Sequence, residues 1–563
     1  MNMEKIYIIG RNDNEFIKGI GLPIIELPII STDEEIHDFI EKNLLDIDFK
    51  SLIIPIVKEE DVKISLRIGF HIRLTESLWE KRLFPILFIS AERLGTVIKD
   101  GGIYSNILAT KACKYEQYTQ KEIILKATSL LEGIRPNEFK NSFLDTIHIL
   151  PDEKTGRHSL ANQWGALALD KAANTKSLRT DNELKKAEKQ LYFKYVTALN
   201  FNYDKLAKPK QQMIDLAQLE KANKINAEDY RILLVDDEAD KGWSSVLQNV
   251  FKTSNSGDFQ VIKEKVNTYE SLSISSKNLI ENGNFDLFLI DLRLNGIEEE
   301  NVNKPEDFSG TKVLKAIKQL NEGNQVIMFT ASNKAWNMKV LLDEGADGYY
   351  IKESPEYNFS LDFSKENYSN LRNEVLKCFQ LSFLKKIANI HKSCNSALNT
   401  NSAFHNRIKA SLEIAFELLK KSANNPKYYN LAYLTYYQIL EDYVGQHENF
   451  NFDYNTGSAY INTNILVIDG NTRGWQLKFI KKGIERYDYF EIGVESNDKN
   501  WSALSQISFV LAFKFNKDNK YLKRWGRLNN LRNTKAGHGG NNGFITIGEI
   551  EELLEIVELF LTN

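Results

Sequence analysis

Four short apolar runs in the middle of the chain each stop at a polar residue, and no other feature constrains the fold as tightly. RILLV is followed by Asp236 and Asp237, FDLFLI by Asp291, QVIMF by Thr330 and GYYI by Lys352. Bare apolar runs of this length predict strands covered on both faces, as in a parallel sheet. Helical stretches such as Thr311–Leu320 lie between them. The alternation predicts a doubly wound α/β unit over residues 229–356,. Functional groups in such a sheet collect at the carboxyl ends of the strands, so these polar residues are expected to meet there.

Three carboxylates gathered without a partner repel one another and resist ionisation. A Mg²⁺ ion resolves this, because it takes hard oxygen ligands and keeps waters. The Lys352 ammonium and the Thr330 hydroxyl then face whatever anion is attached to Asp291. A carboxylate nucleophile, a metal and a charge clamp are the parts needed to form an aspartyl phosphate. The set resembles the receiver domains of two-component response regulators. That resemblance implies a flavodoxin-like fold, Mg²⁺ held by Asp236, Asp237 and Asp291, and phosphoryl transfer to Asp291 from a partner histidine kinase. It also implies a switch in which Thr330 swings to the phosphate and Lys352 pairs with it. Tyr349, three residues before Lys352, stands at the family's aromatic switch position. Two stretches are longer than the family's pattern: the one between Asp237 and Asp291, and the loop NGIEEENVNKPEDFSG that leads to Gly310. Glu306 and Asp307 in that loop read as solvated acids rather than extra ligands. The plainer alternative for the whole unit is a receiver kept only for binding.

Residues 1–150 read as a second α/β domain, with strands expected at Lys5–Gly10, Ser51–Ile56 and Phe84–Ser90 and a helix at Asp33–Asn43. One reading is a degenerate receiver-like domain. No Asp closes Ser51–Ile56, so it is not expected to accept phosphate, and binding or sensing is its plainer role. His71 and Arg73 in GFHIRL read as a half-buried pair at a strand edge. Residues 151–228 read as a helical connector, with dimerisation as one role open to it. His158 heads a helix there; its alternatives are a relay of phosphate to Asp291 and a structural or interface role, and the second is favoured because the acidic neighbour of kinase histidines is replaced by Ser159.

Residues 357–402 read as a helical linker and 403–563 as an all-helical domain. Its stripes are Ile408, Leu412, Ala415 and Leu419; Ala432, Tyr436, Ile439 and Tyr443; and Leu504, Ile507, Leu511 and Phe515,. Thr546 and Glu549 predict a capping box before Ile550, Leu553, Val557 and Phe560. Residues 446–500 read as an insertion with a hairpin around Asp469-Gly470. From Trp501 to Phe544 the only acid is Asp518, against eight lysines and arginines. That local positive patch is the footprint expected of a phosphate-backbone partner, with Lys523, Arg524, Arg527 and Lys535 as the RNA-binding residues. Within it Arg532 and His538 are separated by five residues. Histidine suits proton transfer near neutral pH and arginine a bidentate phosphate clamp. The segment is similar to the R-x(4–6)-H motif of HEPN nucleases. That resemblance implies metal-independent RNA cleavage at a composite site from two protomers: a homodimer or higher homo-oligomer, with Arg532 on the scissile phosphate, His538 moving the proton and Asn533 positioning. Glu441 and Asp442 stand where such domains often carry a supporting acid. The plainer alternative is a solvated helix end, with cations complementing the helix dipole.

The rest of the sequence supplies exclusions. The 563 residues carry 72 basic and 76 acidic side chains, net −4, so no global field draws the chain to nucleic acid,. Cys113, Cys378 and Cys394 form neither a disulfide framework nor a metal knuckle. No apolar run is long enough to span a membrane, and a cytoplasmic setting is expected. The expected architecture is multidomain α/β plus all-α. The expected function is a phosphorylation-gated endoribonuclease, Mg²⁺ serving the receiver and no cofactor the cleavage. The pairing of domains resembles two-component-like antiviral defence effectors. The alternatives are a non-enzymatic signalling protein whose helical domain binds RNA or protein, or a phosphate buffer for a kinase.

Overall fold

The computed structural model describes residues 5–11, 15–57, 59–117, 120–152, 156–199, 223–295, 302, 304–331, 335–357, 359–399, 401–446, 450–453, 458–461, 464–468, 478–481, 489–491, 501–537 and 543–563. The chain divides into two compact units. One comprises residues 1–277, 289–312 and 327–374, the other residues 278–288, 313–326 and 375–563.

The first unit opens with five parallel strands: β1 (Ile6–Gly10), β2 (Ile24–Glu26), β3 (Ser51–Ile56), β4 (Ile86–Ser90) and β5 (Cys113–Gln117). They run in the order β2-β1-β3-β4-β5. Central β3 and β4 are buried at every residue, which is why they read as bare apolar runs,. Edge strand β5 is buried only at Cys113 and carries Lys114, Glu116 and Gln117. The helix Asp33–Leu44 starts where expected, with Thr32 and Glu35 forming a capping box. His71 and Arg73 correct the expectation of a strand edge: both lie in the last turn of the helix Glu59–Leu74 and are wholly buried. This helix buries Leu66, Ile68, Phe70 and Ile72, so its apolar positions alternate as a strand's would. The connector then contributes the helices Arg157–Ala173, Asn182–Lys189 and Leu191–Leu199, pinned together by Leu160, Trp164, Ala187, Phe193 and Val196.

A short parallel pair, β6 (Ile225–Asn226) and β8 (Phe251–Lys252), flanks the second sheet. That sheet consists of β7 (Ile232–Val235), β9 (Phe259–Ile262), β10 (Leu287–Asp291), β11 (Gln325–Thr330) and β12 (Gly348–Ile351). Its order, β12-β11-β10-β7-β9, is the same winding as the first sheet. Counted within each domain, both run 2-1-3-4-5, the flavodoxin-like order.

The second unit is mainly helical. Helices Leu384–Ala397, Ala403–Lys420, Lys427–Gln446, Ala503–Phe513, Asn519–Leu531 and Ile547–Thr562 share one apolar core. The predicted stripes are buried in it, Phe515 only partly, and the Thr546/Glu549 capping box forms. Residues 384–397, expected within a linker, belong to this core through Leu384, Ile387 and Cys394. Strands β13 (Phe450–Asp453), β14 (Ser458–Ile461), β15 (Asn464–Ile468), β16 (Lys478–Lys481) and β17 (Tyr489–Glu491) make an antiparallel meander. Asp469 and Gly470 lie outside the described residues, but the strands either side pair antiparallel, Ile468 opposite Phe479. Among the described residues no helix is long and apolar enough to cross a membrane. Cys113, Cys378 and Cys394 are all buried.

A candidate phosphoacceptor site and a candidate basic centre

The central sheet delivers its polar residues to one pocket. Asp236 follows β7, its N–H donating to Ile262 O at 3.1 Å across to β9. Asp291 ends β10, Thr330 ends β11, and Lys352 follows β12 with its N–H donating to Thr330 O at 2.7 Å. Asp236, Asp291, Thr330 and Lys352 are each no more than 2% exposed. The Lys352 ammonium lies 2.8 Å from Asp236 Oδ2 and 3.0 Å from Asp291 Oδ1, and 5.0 Å over the Trp243 ring. Gly310 is needed at the head of the helix Ser309–Leu320, because a Cβ there would stand 2.0 Å from the Asp291 carbonyl oxygen. Tyr349 is half-exposed, whereas its neighbour Tyr350 is buried against Trp243 and Phe329. Glu306 and Asp307 are not in the group of side chains that could share a metal.

The connector helix Arg157–Ala173 packs directly onto this pocket, an arrangement that sequence reasoning missed. Gly165 permits the approach: a Cβ there would meet Trp243 at 3.0 Å and Glu353 O at 3.2 Å. Asn162 Oδ1 accepts from Lys352 Nζ at 2.6 Å, and its Nδ2 donates to Glu238 Oε2 at 2.9 Å. His158 Nε2 stands 3.9 Å from Asp237 Oδ1 and 3.8 Å from Asp291 Oδ2. The Asp291 carboxylate is therefore covered by the chain's own helix. Burial pushes the Asp291 carboxyl up; Lys352 opposes this, Asp236 adds to it, and the pKa ends well above the ordinary value,. Burial pulls Lys352 down, but Asp236 and Asp291 outweigh it and hold the ammonium charged. Burial also pulls His158 down, and again the carboxylates of Asp237 and Asp291 win and raise it.

The pocket suits a divalent cation. Asp237 Oδ1 and Asp291 Oδ2 are buried without any hydrogen-bond partner, and such atoms are costly unless something fills the gap. Asp236 is engaged at both oxygens, Oδ2 by Lys352 and Oδ1 by the Glu238 N–H at 2.9 Å. The side chains whose ligand atoms cluster within 4.8 Å are His158, Asp237 and Asp291.

In the second unit Arg532 opens a π-helical turn, Arg532–Ala536, closed by the Gly537 N–H on Arg532 O at 2.8 Å. Its guanidinium is 3.7 Å from Glu441 and 5.3 Å over the Tyr437 ring, and donates to Asn533 Oδ1 at 3.0 Å. Burial pushes Glu441 up, with Arg532 opposing. Asp442 pairs with Arg407 instead, at 3.6 Å. His538 lies outside the described residues. The predicted basic face is mostly spent within the chain. Arg524 meets Glu552 at 3.1 Å and Glu555 at 2.6 Å, Arg527 also meets Glu552, and Lys535 meets Glu549 at 2.9 Å. Lys523 is exposed. The signal for this pairing was in the sequence: Glu549, Glu552 and Glu555 recur every three residues on the last helix.

The N-terminal sheet has the same frame without the acids. Strand β1 ends at Gly10, followed by Arg11, and a Cβ at Gly10 would touch Pro55 of β3. Strand β4 ends in buried Ser90, whose hydroxyl donates to Ile56 O at 2.7 Å. Residues 3–116 match the family model described as the inactive receiver domain, iREC. No curated protein matches the chain. The N-terminal domain is thus similar to inactive receiver domains.

Proposed function

We propose that this is a signalling protein in which a histidine kinase phosphorylates Asp291 of the central domain, and the phosphate sets the state of the C-terminal helical domain. The observation that carries this reading is the convergence of Asp236, Asp237, Asp291, Thr330 and Lys352 at the carboxyl ends of one parallel sheet, in a chain whose N-terminal sheet has no Asp at the end of β1 or β3. An Asp291 carboxylate oxygen forms the bond to phosphorus as the donor's phosphorus–nitrogen bond breaks. Lys352, already 3.0 Å from Asp291, neutralises the added charge, and Thr330 is placed to donate to a phosphoryl oxygen. A divalent ion at the acids supplies further charge neutralisation when bound. Acetyl phosphate with Mg²⁺ is expected to add one phosphoryl mass to the wild type and none to Asp291→Ala; equal labelling of both excludes Asp291.

For the output we assign metal-independent RNA cleavage, with Arg532 clamping the scissile phosphate, Asn533 positioning it and His538 moving the proton. The support is a guanidinium held in place by Glu441 and Tyr437 yet 42% exposed. The pairing of Arg524, Arg527 and Lys535 with glutamates favours a second reading, a helical domain that docks protein rather than RNA. Cleavage of RNA in EDTA that is abolished by both Arg532→Ala and His538→Ala supports the first reading; no cleavage with or without phosphorylation leaves the second. A role in antiviral defence rests on the pairing of domains alone.

A further inference from the structure

A feature of the phosphoacceptor pocket goes beyond what a receiver needs: an imidazole from outside the sheet points into it. We propose that His158 Nε2, Asp237 Oδ1 and Asp291 Oδ2 form a three-ligand site for a borderline divalent ion of the Zn²⁺ class, which ties the connector helix to the central sheet and closes the phosphoacceptor. The proposal deepens the reading of the same pocket.

Geometry supports this first. Ligand bonds of about 2.0–2.2 Å allow two donors on one ion to stand at most about 4.4 Å apart. The two imidazole–carboxylate separations are 3.9 and 3.8 Å, too long for hydrogen bonds and within the span of one shared ion. The three side chains were brought together by two packed elements, since His158 and Asp237 are 79 residues apart in sequence.

Donor accounting comes second. Asp237 Oδ1 and Asp291 Oδ2 are buried and unpartnered, and the two side chains are 2% and 3% exposed. Asp236, the third carboxylate at the strand ends, has both oxygens occupied. The remaining donor is therefore nitrogen. Mg²⁺ takes oxygen ligands, whereas imidazole with carboxylate suits Zn²⁺ and its neighbours. His158 Nε2 is hydrogen-bonded to Asn162 Nδ2 at 3.1 Å; binding of the ion replaces that one bond, while Asn162 keeps its bonds to Lys352 and Glu238. Three protein ligands leave a coordination position open, as in sites that also admit water.

The consequence is a locked state. With Asp291 Oδ2 on the ion and the helix pinned by His158, the oxygen that must attack phosphorus is occupied. Releasing the ion, or withdrawing His158 from it, frees the carboxylate.

The test uses the full chain, stripped of metal with EDTA and titrated with Co²⁺ in the visible range, with no phosphodonor present. One Co²⁺ per chain is expected, with the strong bands of low coordination, displaced by Zn²⁺ but not by a large excess of Mg²⁺. His158→Ala should lower Co²⁺ affinity by more than about tenfold, the smallest loss seen when only a ligand's supporting partner is removed. His158→Cys should restore binding through its thiolate. Thermal unfolding in EDTA reports each variant's fold separately; should His158→Ala not fold, His158→Gln replaces it. Equal Co²⁺ binding by wild type and the His158 variant, or binding by neither, overturns the proposal. Since no phosphate is involved, a His158-dependent Co²⁺ band in a protein that acetyl phosphate with Mg²⁺ fails to label even after the bound ion has been stripped would sink the phosphoacceptor reading and leave this one standing.

Discussion

The Lys352 ammonium bridges the buried carboxyls of Asp236 and Asp291, so its removal leaves the two facing each other without it. Lys352→Met is expected to destabilise the first unit by about 3–5 kcal/mol, the usual cost of leaving a buried charge unpaired. Urea unfolding checks this, and in the double variant with Asp291→Asn the loss should shrink. Gly310 is constrained as tightly by space. Gly310→Ala places a methyl against the Asp291 carbonyl and is expected to cost about 1–3 kcal/mol and most of the acetyl phosphate labelling. Wild-type stability and labelling would show that the backbone there gives way. Lys352 and Asp291 were legible in the sequence because each follows an unbroken apolar run, and run plus terminal polar residue is a local signal. His158 was not legible as a pocket residue. Its partners Asp237 and Asp291 are remote in sequence, and nothing in GRHSLANQWG states which surface the helix covers.

Elements carry two further expectations. The connector helix is held on the sheet through Gly165, whose hydrogen faces Trp243 and Glu353. Gly165→Val should lift it, quickening phosphorylation of Asp291 by acetyl phosphate while lowering the melting temperature; unchanged labelling would mean that the helix does not limit access. The second expectation concerns pH. In the N-terminal domain buried His71 contacts Asp33 Oδ1 at 2.9 Å and Lys194 Nζ at 3.0 Å. Burial, then the Lys194 charge, hold its pKa down at about 4, and burial holds Lys194 down at about 7. A depressed cationic group binds fewer protons folded than unfolded, so stability rises with pH between the folded and unfolded values. The first unit should therefore lose stability as pH falls from 6.5 toward 4, on the order of 3 kcal/mol for His71, and His71→Gln should flatten that limb of a urea-midpoint profile. This cluster escaped sequence reading because the helix Glu59–Leu74 is apolar on too many sides for a period of 2 to be told from one of 3.6. By contrast, the helical stripes around Leu412, Tyr436 and Val557 were legible, because each has a polar face to set its period.

For the whole molecule, charge is arranged more economically than composition suggests. The basic segment of the second unit looked like an open face for RNA, yet the last helix returns three glutamates to it. Glu552→Gln should release Arg527 and leave Arg524 held by Glu555 alone. If RNA lies on this face, binding tightens at low salt and the salt dependence steepens by about one to two phosphate contacts; filter binding across salt concentrations that matches wild type would place RNA elsewhere or exclude it. The pairing of an acid-free receiver-like frame with an acid-bearing one was half-legible. The missing Asp after Ser51–Ile56 was plain in the sequence, but the identical winding of the two sheets needed strand order.

That shared winding separates two ways of counting. A reagent that recognises the folded outline finds it twice in each chain, and one that recognises the buried cluster of acids and lysine finds it once. Mutational tolerance should divide along the same line. In the first frame, substitutions at the strand ends answer to packing and local hydrogen bonds, Gly10 to its contact with Pro55 and Ser90 to its bond to Ile56 O. In the second frame the equivalent positions answer to charge balance as well, and an isosteric exchange that the first frame would ignore is enough to silence it.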